Sequence, residues 1–392
     1  MTYILFRYII FHIIVLVTIL VFSRKLSIVH KGYWKIAFVP ILIYAIEEGF
    51  RWGRDSDWWG YRATYNLISA GFDVNNEYLF EYFWKLLCLW GFEYPVAIFL
   101  ATLLFIFSLF FLLKYSKQTL FLSLPLFIIW LAPLSIQLIR WFMGLSICFI
   151  GLKYLFDNSY KKAYLFLFCS FFIHTFVGVL LTPCFILYPF LKRELLAPSK
   201  VIICSVVLVL FANLSFMENF FSILNLFSDS SRYSGYVDKA SEWFATSGNA
   251  DYHRKSMVFY LLLMSPFYVV IYYLRKIKNK VPHYYFIYNI LSLNILLRSI
   301  SSGSEIVQRI ATIYDFAFLL ASTFVLYYRN DLRRSILLVV LIAIFAFKTF
   351  VFIKPYKSDL LMMYVWDSNK LDDMGKALIL FNNEKQQNEN MY

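Results

Sequence analysis

"LFLSLPLFIIWLAPLSIQLIRWFMGLSICFIGLKYLF" occupies residues 120–156, and the way it divides decides the fold. The stretch is almost wholly apolar, yet it is far longer than the roughly 20 residues a helix needs to cross a bilayer. Polar residues interrupt it at "PLSIQLIR", where Ser135, Gln137 and Arg140 fall close together. We read it as a hairpin of two short helices, 120–134 and 138–156. A second long run, 162–190, is interrupted in the same manner at "IHTF" and divides into 162–174 and 176–190 around His174.

Working outward, further apolar runs lie at 3–22, 34–50, 95–113, 200–214, 255–274, 282–298, 308–328 and 335–353. Together they make about twelve candidate transmembrane helices. Charge tests the division. The loops 23–35, 114–119, 157–162, 191–200, 275–280 and 329–334 hold 18 of the 37 Lys and Arg residues, opposed only by Asp157, Glu194 and Asp331. The positive-inside rule places all six loops in the cytoplasm. Twelve crossings with both termini outside satisfy every loop, and the alternation fails if either hairpin is read as a single span. The expected fold is therefore an all-α, polytopic integral membrane bundle over 1–353. Its outer-face loops are 51–94, 215–254 and 298–308. A polar C-terminal tail, 354–392, reads as a short surface helix with a disordered end.

Composition agrees with this reading. Of 392 residues, 61% are hydrophobic and only 16% charged, against about 25% charged in soluble domains. The net charge of +13 sits in short clusters between apolar runs, so it reads as a topology signal and not as a nucleic-acid surface. Cys88, Cys148, Cys169, Cys184 and Cys204 lie in apolar surroundings without CxxC spacing and read as small buried hydrophobes. The first run has no small-residue cleavage site before Arg24, so it is expected to stay as a helix.

With the cytoplasmic loops set aside, the other charges gather on the outer side. They are Arg51, Arg54, Asp55, Asp57 and Arg62 after the second helix, Arg140, His174, Arg232 and Arg254, and then Arg298, Glu305 and Arg309. Snorkelling to headgroups accounts for Arg62, Arg254 and Lys85. It accounts less well for Arg140 and His174, which interrupt apolar hairpins where ionisable groups are costly. Arginine is the residue to expect for a phosphate-bearing ligand, because its planar fork binds two oxygens at once. Trp52, Trp58, Trp59 and Tyr61 suit an interfacial belt, and also sugar stacking. "DSD" at 55–57 is a weak echo of a metal-binding DxD. His12, His30, His174, His253 and His283 show no ligand spacing, and HExxH, GxSxG and P-loop motifs are missing.

These residues, taken in order, resemble a family. "GFRWGRDSDWWGY" is similar to the Arg-x5-Asp-x3-Tyr signature of EpsG-type members of the Wzy polysaccharide polymerases, with Arg51, Asp57 and Tyr61 at the matching positions. "IRWFMGLSICFIGLKYL" resembles the family's Ile-Arg-Gln-rich helix and carries Arg140. "FFIHTFVGVLL" resembles its Phe-His turn and carries His174. "SRYSGYVD", with Arg232 and Tyr236, is similar to a Tyr-Ser-x-Tyr stretch, "VQRIATIYDFAFLL" to an Ala-Arg-Phe helix bearing Arg309, and "KPYKSDL" to a closing Pro-Tyr segment. Trp141, Thr175 and Asp55 depart from the residues usual there.

The resemblance implies a GT-C-like bundle with re-entrant-like hairpins in the bacterial inner membrane, its active site facing the periplasm or exterior. It implies transfer of a growing glycan from undecaprenyl pyrophosphate to the non-reducing end of a lipid-linked repeat unit, without metal or other cofactor. This is the chemistry of O-antigen, capsule and exopolysaccharide assembly. Expected partners are the undecaprenyl-pyrophosphate-linked oligosaccharide, the lipid bilayer, and flippase and chain-length regulator proteins. Arg140 and Arg309, with Arg51 or Arg232, would bind pyrophosphate and stabilise the charge that leaves. Arg54, Tyr61, Tyr236 and Arg298 would add substrate contacts. Asp57 or His174 would take the acceptor proton, and the residues do not choose between them. A lipid-linked glycan ligase shares the outer arginines. A flippase should instead carry charge through the full membrane depth and often shows related halves.

Overall fold

The computed structural model describes residues 2–54, 56–74, 77–212, 257–300, 305–332, 336–354 and 362–367. The first half holds α1 (Thr2–Ile28), α2 (Tyr33–Gly49), α3 (Ser56–Ser69), α4 (Tyr78–Leu89) and α5 (Tyr94–Leu113). A 3-10 turn over Lys114–Thr119 leads into α6 (Leu120–Gln137), α7 (Ile139–Phe156), α8 (Tyr160–Ile173), α9 (Thr175–Leu187) and α10 (Pro198–Ala212). Then come α11 (Met257–Lys276), α12 (Tyr284–Ile300), α13 (Glu305–Ile313), α14 (Asp315–Tyr327) and α15 (Ile336–Ile353). Among the described residues there is no strand, only an isolated antiparallel bridge between Arg51 and Tyr364. An all-helical chain satisfies its backbone within each segment, as an apolar environment demands.

The described part of each of the twelve apolar runs falls on a helix, the last-but-one on the bent pair α13 and α14. Length and apolarity alone qualify fewer of them as spans. Among the described residues these are Tyr3–Ile28, Tyr94–Gln137 and Ile139–Phe156, with the pair Val307–Ile313 and Asp315–Tyr327, bent by 50°, as a fourth if counted as one. Shorter apolar helices lie at Thr175–Phe190 and Pro198–Phe211.

Both interruptions reverse the chain. α2 and α5 run antiparallel, since Tyr33 Oη donates to Phe110 O at 2.9 Å while Gly49 packs on Phe99. Arg51 reaches Ile136 O at the end of α6, and Trp141 at the start of α7 meets His174. Leu138 (φ −103°, ψ 59°) is the single non-helical residue between α6 and α7. Gly144 lies against His174 and Val177, whereas Gly151 lies against Ala163 and Phe185. α8 therefore runs back along α7, and α9 returns beside it.

The connections at one end share side chains. Lys114 and Lys117 lie over Tyr33, Tyr115 packs on His283, and His283 stacks on Phe156 and bonds Tyr188. Glu194 joins Arg275 and Tyr284, and Lys280 covers Tyr328. The described parts of the six basic loops thus gather at one end, hereafter the basic end. Arg51, Arg140 and His174 mark the opposite end.

The stretch 51–94, expected as an outer loop, contains α3 and α4. Their buried residues repeat at helical spacing: Trp58, Tyr65 and Ile68 on α3, and Phe80, Trp84 and Leu87 on α4. These faces pack on each other and on Tyr94, Ile98, Ile139 and Met143, forming a second, smaller core. Gly71, at φ +87°, ends α3 with a Phe72 N–H to Leu67 O bond, a conformation that costs glycine little.

Met362–Asp367, within the polar C-terminal stretch expected to form a short surface helix, is docked on the bundle. Trp52 N–H donates to Met363 O at 2.9 Å and Val365 N–H to Phe50 O at 3.0 Å. Tyr364 is fully buried, and Asp367 pairs with Arg7.

Candidate active site

Arg140 sits in the first turn of α7, where the helix dipole disfavours a cation by a few tenths to about 1 kcal/mol. What holds it there is Glu77, the residue preceding α4, whose Oε2 lies 2.7 Å from Arg140 Nη1. Neither partner is sealed: their side chains are 20% and 11% exposed. Arg140 also lies over the Phe80 ring at 5.8 Å. A cation and a helix N-terminus thus face the same side, which favours an anion.

His174 fills the break between α8 and α9 with extended backbone (φ −152°, ψ 96°). Its Nδ1 accepts the Val177 N–H at 3.4 Å and caps α9, leaving the ring proton on Nε2. The ring meets Trp141 edge-on at 5.0 Å. A Cβ on Gly144 would come within 2.9 Å of the His174 Cβ, so glycine is what lets α7 approach the break this closely. "PLSIQLIR" and "IHTF" therefore build one locus from opposite sides.

Beside that locus lies a cleft of about 820 Å³ between α4 and the ends of α8 and α9. Asp73, Glu77, Glu81 and Lys85 supply its charge, and Phe171, Phe172 and Thr175 its other wall. Lys85 bonds both Asp73 (2.8 Å) and Glu81 (2.9 Å). The size is within the usual range for small-ligand sites.

Asp57 lies in the first turn of α3, half-buried, where the dipole favours a carboxylate. One turn on, Tyr61 packs edge-on against Phe80 and Trp84. Phe80 thus contacts both Tyr61 and Arg140, which ties α3 to the Arg140 locus.

Arg51 and Arg54 are placed differently from the expectation of ligand contact. Arg51 is 2% exposed and donates to Glu48 O, Thr102 Oγ1 and Ile136 O. Arg54 is fully buried; its Nη1 bonds Glu48 Oε2 at 2.9 Å and its guanidinium lies over Tyr8 and Tyr364. Glu47 Oε1 accepts the Tyr364 hydroxyl at 2.7 Å, and His12 bridges Glu47 (3.1 Å) and Glu48 (3.3 Å). These groups join α1, α2 and the docked Met362–Asp367 segment. The ligand atoms of His12, Glu47 and Glu48 lie within 4.8 Å of one another, a metal-compatible spacing, but Arg54 and Tyr364 already use those carboxylates.

Arg298 binds Asp315 through Nε (3.1 Å) and Nη2 (2.5 and 2.6 Å), and Asp315 also accepts Trp130 Nε1 (2.8 Å) and Asn294 Nδ2 (3.0 Å). Asp315 is fully buried where α13 bends into α14. Arg309 is exposed on α13. Arg232 and Tyr236 fall outside the described residues.

The structure thus brings together Arg140 and His174, with Tyr61 on the far side of Phe80 from Arg140, and sets Arg51, Arg54 and Arg298 in internal networks. Sequence reading missed Glu77, Asp315 and the pair Glu47–Glu48. The last three had a signal, since each is an acid inside or at the edge of an apolar run. Glu77 had none, because its partner is far away in the chain.

Residues 34–366 match the EpsG family. No curated protein and no solved structure matches the chain.

Proposed function

Since the chain belongs to the EpsG family, whose members are Wzy-like polysaccharide polymerases, we propose that it polymerises a bacterial cell-surface polysaccharide in the inner membrane. Twelve spans carry the basic loops on the cytoplasmic side and the cleft on the exterior side. The donor is a growing glycan on undecaprenyl pyrophosphate, and the acceptor is the non-reducing hydroxyl of a fresh lipid-linked repeat unit.

The observation that carries this reading is Arg140. It stands partly open at the start of α7, beside His174 and a charged cleft, at the end opposite the basic loops. In the proposed reaction Arg140, with Arg309, binds the pyrophosphate and stabilises its charge as the bond from the anomeric carbon breaks. The acceptor oxygen attacks that carbon, and its proton passes to Asp57. Undecaprenyl pyrophosphate leaves with the bonding electrons. His174 takes a positioning role, because in the tautomer that caps α9 its Nε2 donates and does not accept a proton. Arg51 and Arg54 hold the frame on which α3 begins.

The test is Arg140→Lys in purified, reconstituted protein given a lipid-linked repeat unit. The substitution keeps the charge but loses the bidentate fork. Large loss of product with normal yield of folded protein supports the assignment. Wild-type polymerisation would reduce Arg140 to an anchor for α4.

A further inference from the structure

On the side of the bundle next to the cleft, α2, α4 and α5 enclose a second groove of about 880 Å³. Its walls include Trp34 and Phe38 on α2, Phe83 on α4, and Leu100 and Leu104 on α5. Among the described residues no charged one lines it. Phe38 is 61% exposed, so the groove opens sideways to the surroundings and is not a closed core void. It starts near the basic end, where Trp34 stacks on Phe107 at 5.2 Å. It finishes at Met143 and Ile173, one turn beyond Arg140 and one residue before His174. Tyr82 lines both the groove and the charged cleft.

We infer that this groove holds the polyprenyl chain of the lipid-linked substrate, leading its pyrophosphate to Arg140 and His174. The inference rests on the reading of the cleft as the site of that substrate. A bilayer-facing apolar seam alone would name no occupant. Here the seam runs from within the bundle's depth to a cation at its end, which is the pattern of an amphiphile with a long apolar chain and an anionic head. α2 lines it from Trp34 to Leu42, a helical rise of about 12 Å, which accommodates the isoprene units next to the head and leaves the rest in lipid.

The experiment measures binding of undecaprenyl diphosphate and of inorganic pyrophosphate, which has the head and no tail, to the full chain in nanodiscs. Wild type is compared with Leu100→Trp and Leu104→Trp, which fill the groove, and with Arg140→Ala. The expected result is at least tenfold weaker undecaprenyl diphosphate binding in either groove variant, with inorganic pyrophosphate binding unchanged. Arg140→Ala weakens both. In wild type, a diazirine on the first isoprene units of a polyprenyl diphosphate labels peptides covering 79–86 and 100–107, a readout independent of whether the variants fold. Wild-type affinity for the long chain in both groove variants, while Arg140→Ala still abolishes binding, would overturn the tail route and leave the site reading intact. Labelling of the same peptides by a diazirine phospholipid, undiminished by undecaprenyl diphosphate, would make the groove a general lipid seam and also overturn it. Failure of wild type to bind either diphosphate would remove the site reading and the inference together.

Discussion

Arg140 Nη1 and Glu77 Oε2 stand 2.7 Å apart, joining the first turn of α7 to the residue that precedes α4. The pair fixes the edge of the cleft and holds a guanidinium where the helix dipole alone would disfavour one. A hydrogen bond to a charged group contributes about 1.5–3 kcal/mol. Glu77→Gln should therefore leave the fold intact and lower kcat/KM about tenfold or more, chiefly through KM. Steady-state kinetics on the reconstituted enzyme measures this. Unchanged kinetics would make the pair a surface contact only.

Asp57→Asn keeps shape and hydrogen bonding but removes basicity. General-base assistance contributes typically 10²–10⁴-fold, so turnover at saturation should fall by about that factor while lipid-linked substrate still binds. His174→Gln should give a milder, mixed defect, because His174 Nδ1 is already engaged by the Val177 amide. The reverse ranking, read from kcat and KM for both variants, would move the base to His174.

The network of His12, Glu47, Glu48 and Arg54 makes a different kind of prediction. Removing one partner of a buried ion pair costs about 3–5 kcal/mol, because the other charge is left uncompensated. Arg54→Ala should lower the thermal midpoint of the purified protein sharply, and Glu48→Gln in the same chain should restore part of the loss. Thermal unfolding in detergent decides. A stable Arg54→Ala protein with weakened substrate binding would return Arg54 to the ligand.

The arrangement of ends is tested by labelling with an impermeant thiol reagent, in a background with the native cysteines replaced. A cysteine at Asp73, in the exposed turn between α3 and α4, should react from outside intact cells. One at Lys278, at the basic end, should react only after permeabilisation. Equal labelling of both would overturn the proposed sidedness.

Much of this was legible in the residues. Apolar runs mark the helices because burial in lipid or protein selects the same residues, and the reversals at Leu138 and His174 were signalled by polar residues too costly for a continuous span. α3 and α4 were harder to read, since Trp58, Tyr65, Phe80 and Trp84 look as much like an interfacial belt as like the inner faces of two short helices. The roles of the arginines were hardest. Arg51, Arg54 and Arg140 read alike as outward cations, and only packing tells which meet their own chain's carboxylates. Arg54 meets Glu48 six residues back, whereas Arg140 meets Glu77 across a distance that no local pattern encodes.

Polymerisation itself is tested by product analysis. Purified protein in liposomes is supplied with one undecaprenyl-pyrophosphate-linked repeat unit, and the lipid-extracted products are separated by length. The products should form a ladder spaced by one repeat unit, with release of undecaprenyl pyrophosphate at each step and loss of the ladder in Arg140→Lys. A single transfer to a different acceptor, or passage of intact lipid-linked units between leaflets with no lengthening, would contradict polymerisation.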